Sequence, residues 1–222
     1  MTVRGYGQFC GLARALELVG ERWALLIVRD LLVGPRRFTD LRQGLPRIPT
    51  NVLADRLKEL EHSGIVQRKV LPRPAASVVY ELTPYGSQLE EVVMRLGLWG
   101  AQSLGEPRAD EIVTADSMVM ALRSTFVPRA AERLTSTFEL HLGPVVLSAR
   151  VERGKLTVTE GSATNPDLVL EAGPGIKDLL NGELSPRDAL CDGRVRVIEG
   201  DPKLLERFVK VFRIPARPAV PA

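Results

Sequence analysis

The chain has 222 residues, 45% of them hydrophobic and 26% charged, the balance of a globular protein that can bury a core. That excludes a mainly disordered chain, a collagen-like one and a disulfide-stapled miniprotein, and the length suits two domains of about 100 residues each. Charge is uneven: residues up to Leu104 hold 14 Lys+Arg against 10 Asp+Glu, whereas those from Gly105 on hold 16 against 17. Arg36 to Arg73 alone holds nine basic and four acidic residues, a net +5. Such an excess marks either a phosphate-binding surface or an ordinary solvated face. The longest apolar stretch, Ala24 to Val28, stops at Arg29 and Asp30, far short of the ~18 to 20 residues of a membrane span. Met1 to Gly5 has no apolar export region, and two distant cysteines make no disulfide framework, so a cytoplasmic protein is expected.

In chain order, Leu12, Ala15, Leu16 and Val19 follow helical spacing, and Gly20 is placed to end that helix. Trp23 to Leu32 is apolar on nearly every side, which predicts a central buried helix stopped by Gly34-Pro35. Phe38 to Gln43 has room for two turns. The next helix is predicted over Pro49 to about His62, with Pro49 at its first position, Leu53, Leu57 and Leu60 as one stripe, and Gly64 as terminator. Ile65 to Leu71 and Ser77 to Leu82 read as a hairpin with Pro72-Arg73-Pro74 at its tip. Pro84 to Leu98 reads as one amphipathic helix carrying Leu89, Val92, Val93 and Leu96 toward a partner. Gly105-Glu106-Pro107 is the expected boundary between a domain over 1–104 and a second over 105–213.

The second half alternates differently. A helix is expected over Ile112 to Thr125, and strands over Phe138–Leu142, Val145–Val151, Leu156–Thr159 and Asp167–Glu171. Helices near Ile176–Leu180 and Ser185–Leu190, a strand over Arg194–Glu199 and a helix over Pro202–Phe212 complete it. Residues 214–222 are Pro/Ala-rich and read as a loosely held tail.

Short helices followed by a two-stranded hairpin are the order of a winged helix-turn-helix. Placing the leucine stripe inward at 100° per residue turns Asn51, Asp55 and Lys58 outward, with Thr50 and Ala54 beside them. The major groove of duplex DNA shows a distinct donor and acceptor pattern for each base pair, which such a face can read. Asn pairs bidentately with adenine, Lys with guanine, an Ala methyl meets that of thymine, and Asp accepts from cytosine. Arg36, Arg37, Arg42, Arg56, Arg68, Lys69 and Arg73 are the phosphate candidates, which position without specifying. Each is equally readable as a solvated surface cation, and Arg56, beside the buried stripe, as an internal ion-pair partner.

Three linked segments resemble the HxlR family of bacterial winged-helix regulators: Leu31 to Leu41 (LLVGPRRFTDL), Ile48 to Glu61 (IPTNVLADRLKELE) and Tyr80 to Gly86 (YELTPYG). Trp23 and Trp99 stand where that family usually has tryptophans, and the likeness covers about Cys10 to Trp99. It implies a homodimer paired through its first and last helices, binding an inverted repeat; a repressor is the expected function. Pro49 replaces the more usual Ser at the start of the recognition helix. Some members carry a redox-sensing thiol near the place of Cys10, and a helix N-terminus lowers a thiol's pKa, although a lone Cys there is more often a packing residue.

The second half, from about Ile112 to Phe212, resembles the sterol-carrier-protein fold through Thr164–Leu170, Leu180–Leu190 and Gly193–Pro202. That implies a sheet packed with helices around an apolar cavity, with Leu179, Leu180, Phe208 and Phe212 as candidate lining, although helical apolar stripes of this kind are more often filled core. The expected fold class is therefore α+β: a winged helix-turn-helix plus an α/β sterol-carrier-like domain. His62 and His141 lie in different halves and two distant cysteines add no metal set, and no nucleophile, base and acid are grouped by spacing. No catalysis, cofactor or metal is expected. The expected partners are double-stranded DNA, a second copy and a hydrophobic small-molecule effector, with no membrane; the alternative is a lipid-binding module whose helix-turn-helix serves dimerisation.

Overall fold

The computed structural model describes residues 5–72, 76–173 and 176–216. Contacts divide the chain into one unit ending at Val93 and another starting at Met94. That division falls inside a helix, ahead of the expected boundary at Gly105.

The first unit begins with α1 (Gly11–Val19), α2 (Ala24–Val33), α3 (Phe38–Gly44) and α4 (Thr50–His62). Strands β1 (Val66–Val70) and β2 (Val78–Leu82) then pair antiparallel, Val66 opposite Leu82 and Val70 opposite Val78. Ile27, Val28, Leu41, Leu53, Leu57 and Leu60 form a buried core, and a side chain of this size contributes about 1.5 to 3 kcal/mol by leaving water. Gly64, at φ 69°, ends α4 in the left-handed conformation glycine supplies. Gly20 ends α1 for a different reason: its φ is ordinary, but a Cβ there would lie 2.4 Å from the Leu16 carbonyl oxygen.

Four expectations need correction. Pro49 is the residue before α4, not its first position; its extended backbone carries the carbonyl that Leu53 N–H bonds at 2.9 Å. Trp23 likewise precedes α2, at φ 81°, where a side chain with a Cβ is uncommon. The helix expected to be apolar on nearly every side also buries a charge, Asp30, whose Oδ1 accepts from Arg29 Nε at 2.8 Å and pairs with Nη2 at 2.7 Å. Finally, Pro84 to Leu98 is not continuous but splits into α5 (Pro84–Ser87) and α6 (Glu90–Ala101). Gly86 is pressed against the chain so closely that a Cβ would lie 2.1 Å from the Ile65 carbonyl oxygen. The Gln88 and Leu89 N–H groups then close tighter turns onto Tyr85 and Gly86. Of the expected hairpin tip, Arg73 and Pro74 lie outside the described residues.

The second unit carries α7 (Ala115–Thr125) and a five-stranded sheet of β3 (Thr135–Leu142), β4 (Val145–Glu152), β5 (Lys155–Glu160), β6 (Leu168–Ala172) and β7 (Val195–Gly200). Thr114 caps α7, its hydroxyl accepting from Ser117 N–H. The sheet order is β5-β4-β3-β6-β7, antiparallel except where β6 runs parallel to β3. Helices α8 (Ile176–Leu180), α9 (Pro186–Cys191) and α10 (Lys203–Val211) complete the unit. Phe138 and Leu140 on β3, Leu147, Ala149 and Val151 on β4, and Leu168 and Leu170 on β6 are all buried on one face. Phe138 meets Phe208 of α10 edge-on at 5.3 Å between ring centroids. Alternation sends Thr137, Glu139 and His141 to the opposite face. The chain after α10 is held further than expected, through Arg213 N–H to Thr125 O at 2.7 Å and Ile214 N–H to Leu180 O at 3.0 Å. No helix among the described residues is long and apolar enough to cross a membrane.

Candidate nucleic-acid interface

Helix α4 has two faces because its sequence does. Leu53, Leu57 and Leu60 are buried at 0 to 1% exposure, while Thr50, Asn51, Ala54, Asp55 and Lys58 are all exposed. Asn51, Asp55 and Lys58 stand opposite the leucine stripe with Thr50 and Ala54 on its flank, so α4 presents two turns of polar helix without disturbing the core. Asn51, Asp55 and Lys58 make no ion pair or side-chain hydrogen bond among the described residues.

The described basic residues are held in four different ways. Arg37 and Arg42 are exposed at the two ends of α3, and Arg37 N–H donates to Asp40 Oδ2 at 2.9 Å. Arg36 is half-buried and exchanges backbone hydrogen bonds with Tyr80 at 3.0 and 2.7 Å. The segment before α3 thereby becomes a third rung on the wing, a pairing that local sequence pattern does not announce. On the wing, Arg68 Nε donates to Glu61 Oε1 at 3.0 Å, and that carboxylate raises the Arg68 pKa. Lys69 Nζ lies 3.4 Å from Glu81 Oε2. These two cations keep an exposed side and stay tethered to α4 and β2. Arg56 differs. Only 18% of its side chain is exposed, between the Glu59 carboxylate and Glu21 Oε2 at 3.8 Å, so it serves the internal ion pair. Arg73 lies outside the described residues. Sequence reasoning overlooked Arg22 and Arg47, exposed residues that line one concavity with Pro49 at the start of α4.

Cys10 is exposed immediately before α1, and the backbone amides of Ala13, then Leu12, lower its thiol pKa. Cys191 is also exposed. In the second unit, Leu179, Leu180, Phe208 and Phe212 are all buried. The Phe208 and Phe212 ring centroids stand 4.7 Å apart, with Phe126 5.7 Å from Phe212, so ring packing occupies the space between α10 and the sheet. No group of three or more His, Cys, Asp or Glu among the described residues could hold a metal ion.

Comparison with known proteins matches residues 18–108 to the HxlR-like helix-turn-helix model. The HTH-type transcriptional regulator YodB of Bacillus subtilis (strain 168) is 42% identical over 88 residues, covering 40% of this chain and 79% of YodB. An uncharacterized HTH-type regulator of the same organism, YvaP, is 36% identical over 89 residues, covering 40% of this chain and 82% of its own. Among solved structures, the reduced form of YodB is 37% identical, covering 46% of this chain and all of that one, at a TM-score of 0.39. The oxidized form of the redox regulator HypR is 31% identical, covering 43% of this chain and 99% of its own, at 0.41. The chain belongs to the HxlR-like helix-turn-helix family of DNA-binding transcriptional regulators.

Proposed function

We propose that the protein is a repressor that binds an inverted-repeat operator as a two-fold dimer, α4 of each copy entering the major groove. Thr50, Asn51, Ala54, Asp55 and Lys58 read base edges, and Arg36, Arg37, Arg42, Arg68, Lys69 and Arg73 contact phosphates. Arg56 leaves that set because two carboxylates engage it. The observation that carries the reading is the polar face of α4, five exposed residues over three buried leucines. Binding of a promoter fragment should weaken steeply with salt, at about 0.9 of a logarithmic unit per phosphate contact for each tenfold rise. Asn51→Ala should cost about 1 to 3 kcal/mol and relax preference at one base position. A variant that keeps its full preference for operator over scrambled duplex removes Asn51 from the reading set, and affinity indifferent to salt removes the phosphate set.

Two finer readings have support. The second unit fits a sterol-carrier-like domain by its sheet, antiparallel but for one parallel pair and covered by helices on its apolar face. An apolar effector bound there must part the Phe208 and Phe212 rings. Cys10 fits a thiol sensor by its exposure and lowered pKa. Relatives described as a redox regulator, HypR, and as diamide-treated or quinone-bound, YodB, add weight to that reading.

A further inference from the structure

From Gly105 on, the chain carries 16 basic and 17 acidic residues, a near balance that conceals a separation. Segments 128–133, 153–155 and 203–213 together hold eight basic residues against Glu132 and Glu206, while the rest of that half holds eight basic against fifteen acidic. The fold brings the three segments together. Val127 N–H donates to Val211 O at 2.8 Å and Arg213 N–H to Thr125 O at 2.7 Å, which seats the short 3₁₀ turn Pro128–Ala131 beside the end of α10. Gly154 N–H donates to Ala131 O and Arg153 N–H to Leu134 O, both at 2.9 Å, which seats the β4–β5 turn against the same segment.

Lys203, Arg207 and Lys210 are exposed and, at spacings of four and three, share the side of α10 opposite buried Leu205 and Phe208. Arg129 and Arg133 are exposed on the neighbouring segment, and Arg153 and Lys155 at the turn. None of these cations makes an ion pair or side-chain hydrogen bond among the described residues. Elsewhere on the unit Arg150, Arg194 and Arg196 each meet a carboxylate. Two of the cations also stand against local preference. Lys203 occupies the first turn of α10, where the helix field favours an acid. Arg153 takes φ 48° in a two-residue turn that favours Asn or Gly. Like charges gathered without internal partners repel one another in the free protein, and a polyanion relieves that repulsion.

We propose that this basic surface of the second unit binds the phosphate backbone of duplex DNA, outside the base-reading contacts of α4. It rests on the DNA-binding reading of the first unit, because a duplex held there meets the second unit at high local concentration through the chain. A lipid surface fits less well: α10 has spent Leu205, Phe208 and Val211 on the core and has no apolar face left for a bilayer interface. Lys203 and Lys210 stand about 10 Å apart along the helix axis. A duplex offers a phosphate about every 1.7 Å of its own axis, so each cation of the stripe finds one. Such contacts carry no sequence information and add affinity and salt dependence.

The test uses the full-length protein and anisotropy of a fluorescein-labelled duplex of arbitrary sequence, about four helical turns long, over a salt series. Lys203→Gln with Arg207→Gln and Lys210→Gln should lower the slope of log affinity against log salt by about 2 to 3, and Arg129→Gln with Arg133→Gln by about 1 to 2. Affinity of the first variant at low salt should fall roughly tenfold or more. Benzoylphenylalanine in place of Arg207 should photo-crosslink to the duplex, and in place of Glu183, in the acidic remainder of the unit, should not. Slopes equal to the parent's in both variants, or crosslinking as strong from position 183 as from 207, overturn the proposal. So does loss of binding to phosphatidylglycerol vesicles without loss of duplex binding in the same variants; the partner is then a lipid surface. Arg37→Gln with Arg42→Gln reports on the first unit, so an unchanged slope there strikes that unit's phosphate set and leaves this surface standing. A parent that binds no duplex overturns both.

Discussion

Glu139 lies on the sheet face turned away from the aromatic core and is nonetheless buried, at 8% exposure. Its carboxylate is held by His141 Nε2 at 2.6 Å and by Ala163 N–H at 2.7 Å. Burial alone raises its pKa, but the His141 and Ala163 bonds outweigh burial and hold it below the ordinary glutamate value. A native pKa depressed in this way stabilises the fold above the unfolded value, near 4.3, and the contribution fades as pH falls through the native value. Glu139→Gln should therefore unfold more easily at pH 7, by about 1 to 3 kcal/mol. Calorimetric melting of both proteins should show the gap close below about pH 4. A gap that stays constant into acid would mean that the charge is not what the fold uses. In the first unit the exposed polar face of α4 was legible from the sequence, because it is what a buried leucine stripe leaves outside. The Glu21 partner of Arg56 and the Glu81 partner of Lys69 were not, since both reach across from distant positions along the chain.

At the scale of elements, what the sequence announces is what local chemistry decides. The Ser185-Pro186 start of α9 was readable because the serine hydroxyl accepts from Asp188 N–H at 3.1 Å. The strands of the second unit were readable because one face must be apolar. The break between α5 and α6 was not readable, since apolar spacing continues smoothly through Gln88 and Leu89. It is imposed from outside, by the approach of Gly86 to the Ile65 backbone and by the Thr83 hydroxyl, which donates to Gly64 O at 2.6 Å and accepts from Gly86 N–H at 3.0 Å. Gly86→Ala puts a methyl group where 2.1 Å is available, against a backbone that cannot swing aside. We expect a loss of about 1 to 3 kcal/mol, read as a lower urea midpoint by far-ultraviolet circular dichroism. A midpoint unchanged from the parent's would show that the wing and α5 separate without cost. Arg36 and Tyr80 teach the same lesson, because a bridge across more than forty positions leaves no local trace.

At the scale of the whole molecule, apolar side chains remain exposed on two helices where a monomer has no use for them. Helix α1 exposes Leu12 and Leu16, and α6 exposes Val92, Leu96 and Trp99, the last at 70%. Spacing of three and four residues puts each set on one side of its helix. Grouped exposure of this kind marks an interaction surface, unlike singly scattered apolar residues. The first and last helices of the family's DNA-binding unit are the ones expected to pair copies, and a two-fold pair would offer two α4 helices to the two halves of an inverted repeat. Sedimentation at micromolar protein should give a species of twice 24.4 kDa. Leu96→Glu with Trp99→Glu buries charge in that surface and should yield the single-chain mass with helix content intact. Operator affinity should then fall roughly 100-fold or more, because the second half-site is no longer held at high local concentration. A parent protein that sediments only at 24.4 kDa would end the two-fold reading. A charged variant that stays dimeric would move the interface elsewhere, since two glutamates at the centre of a dry apolar contact cannot be left unpaired.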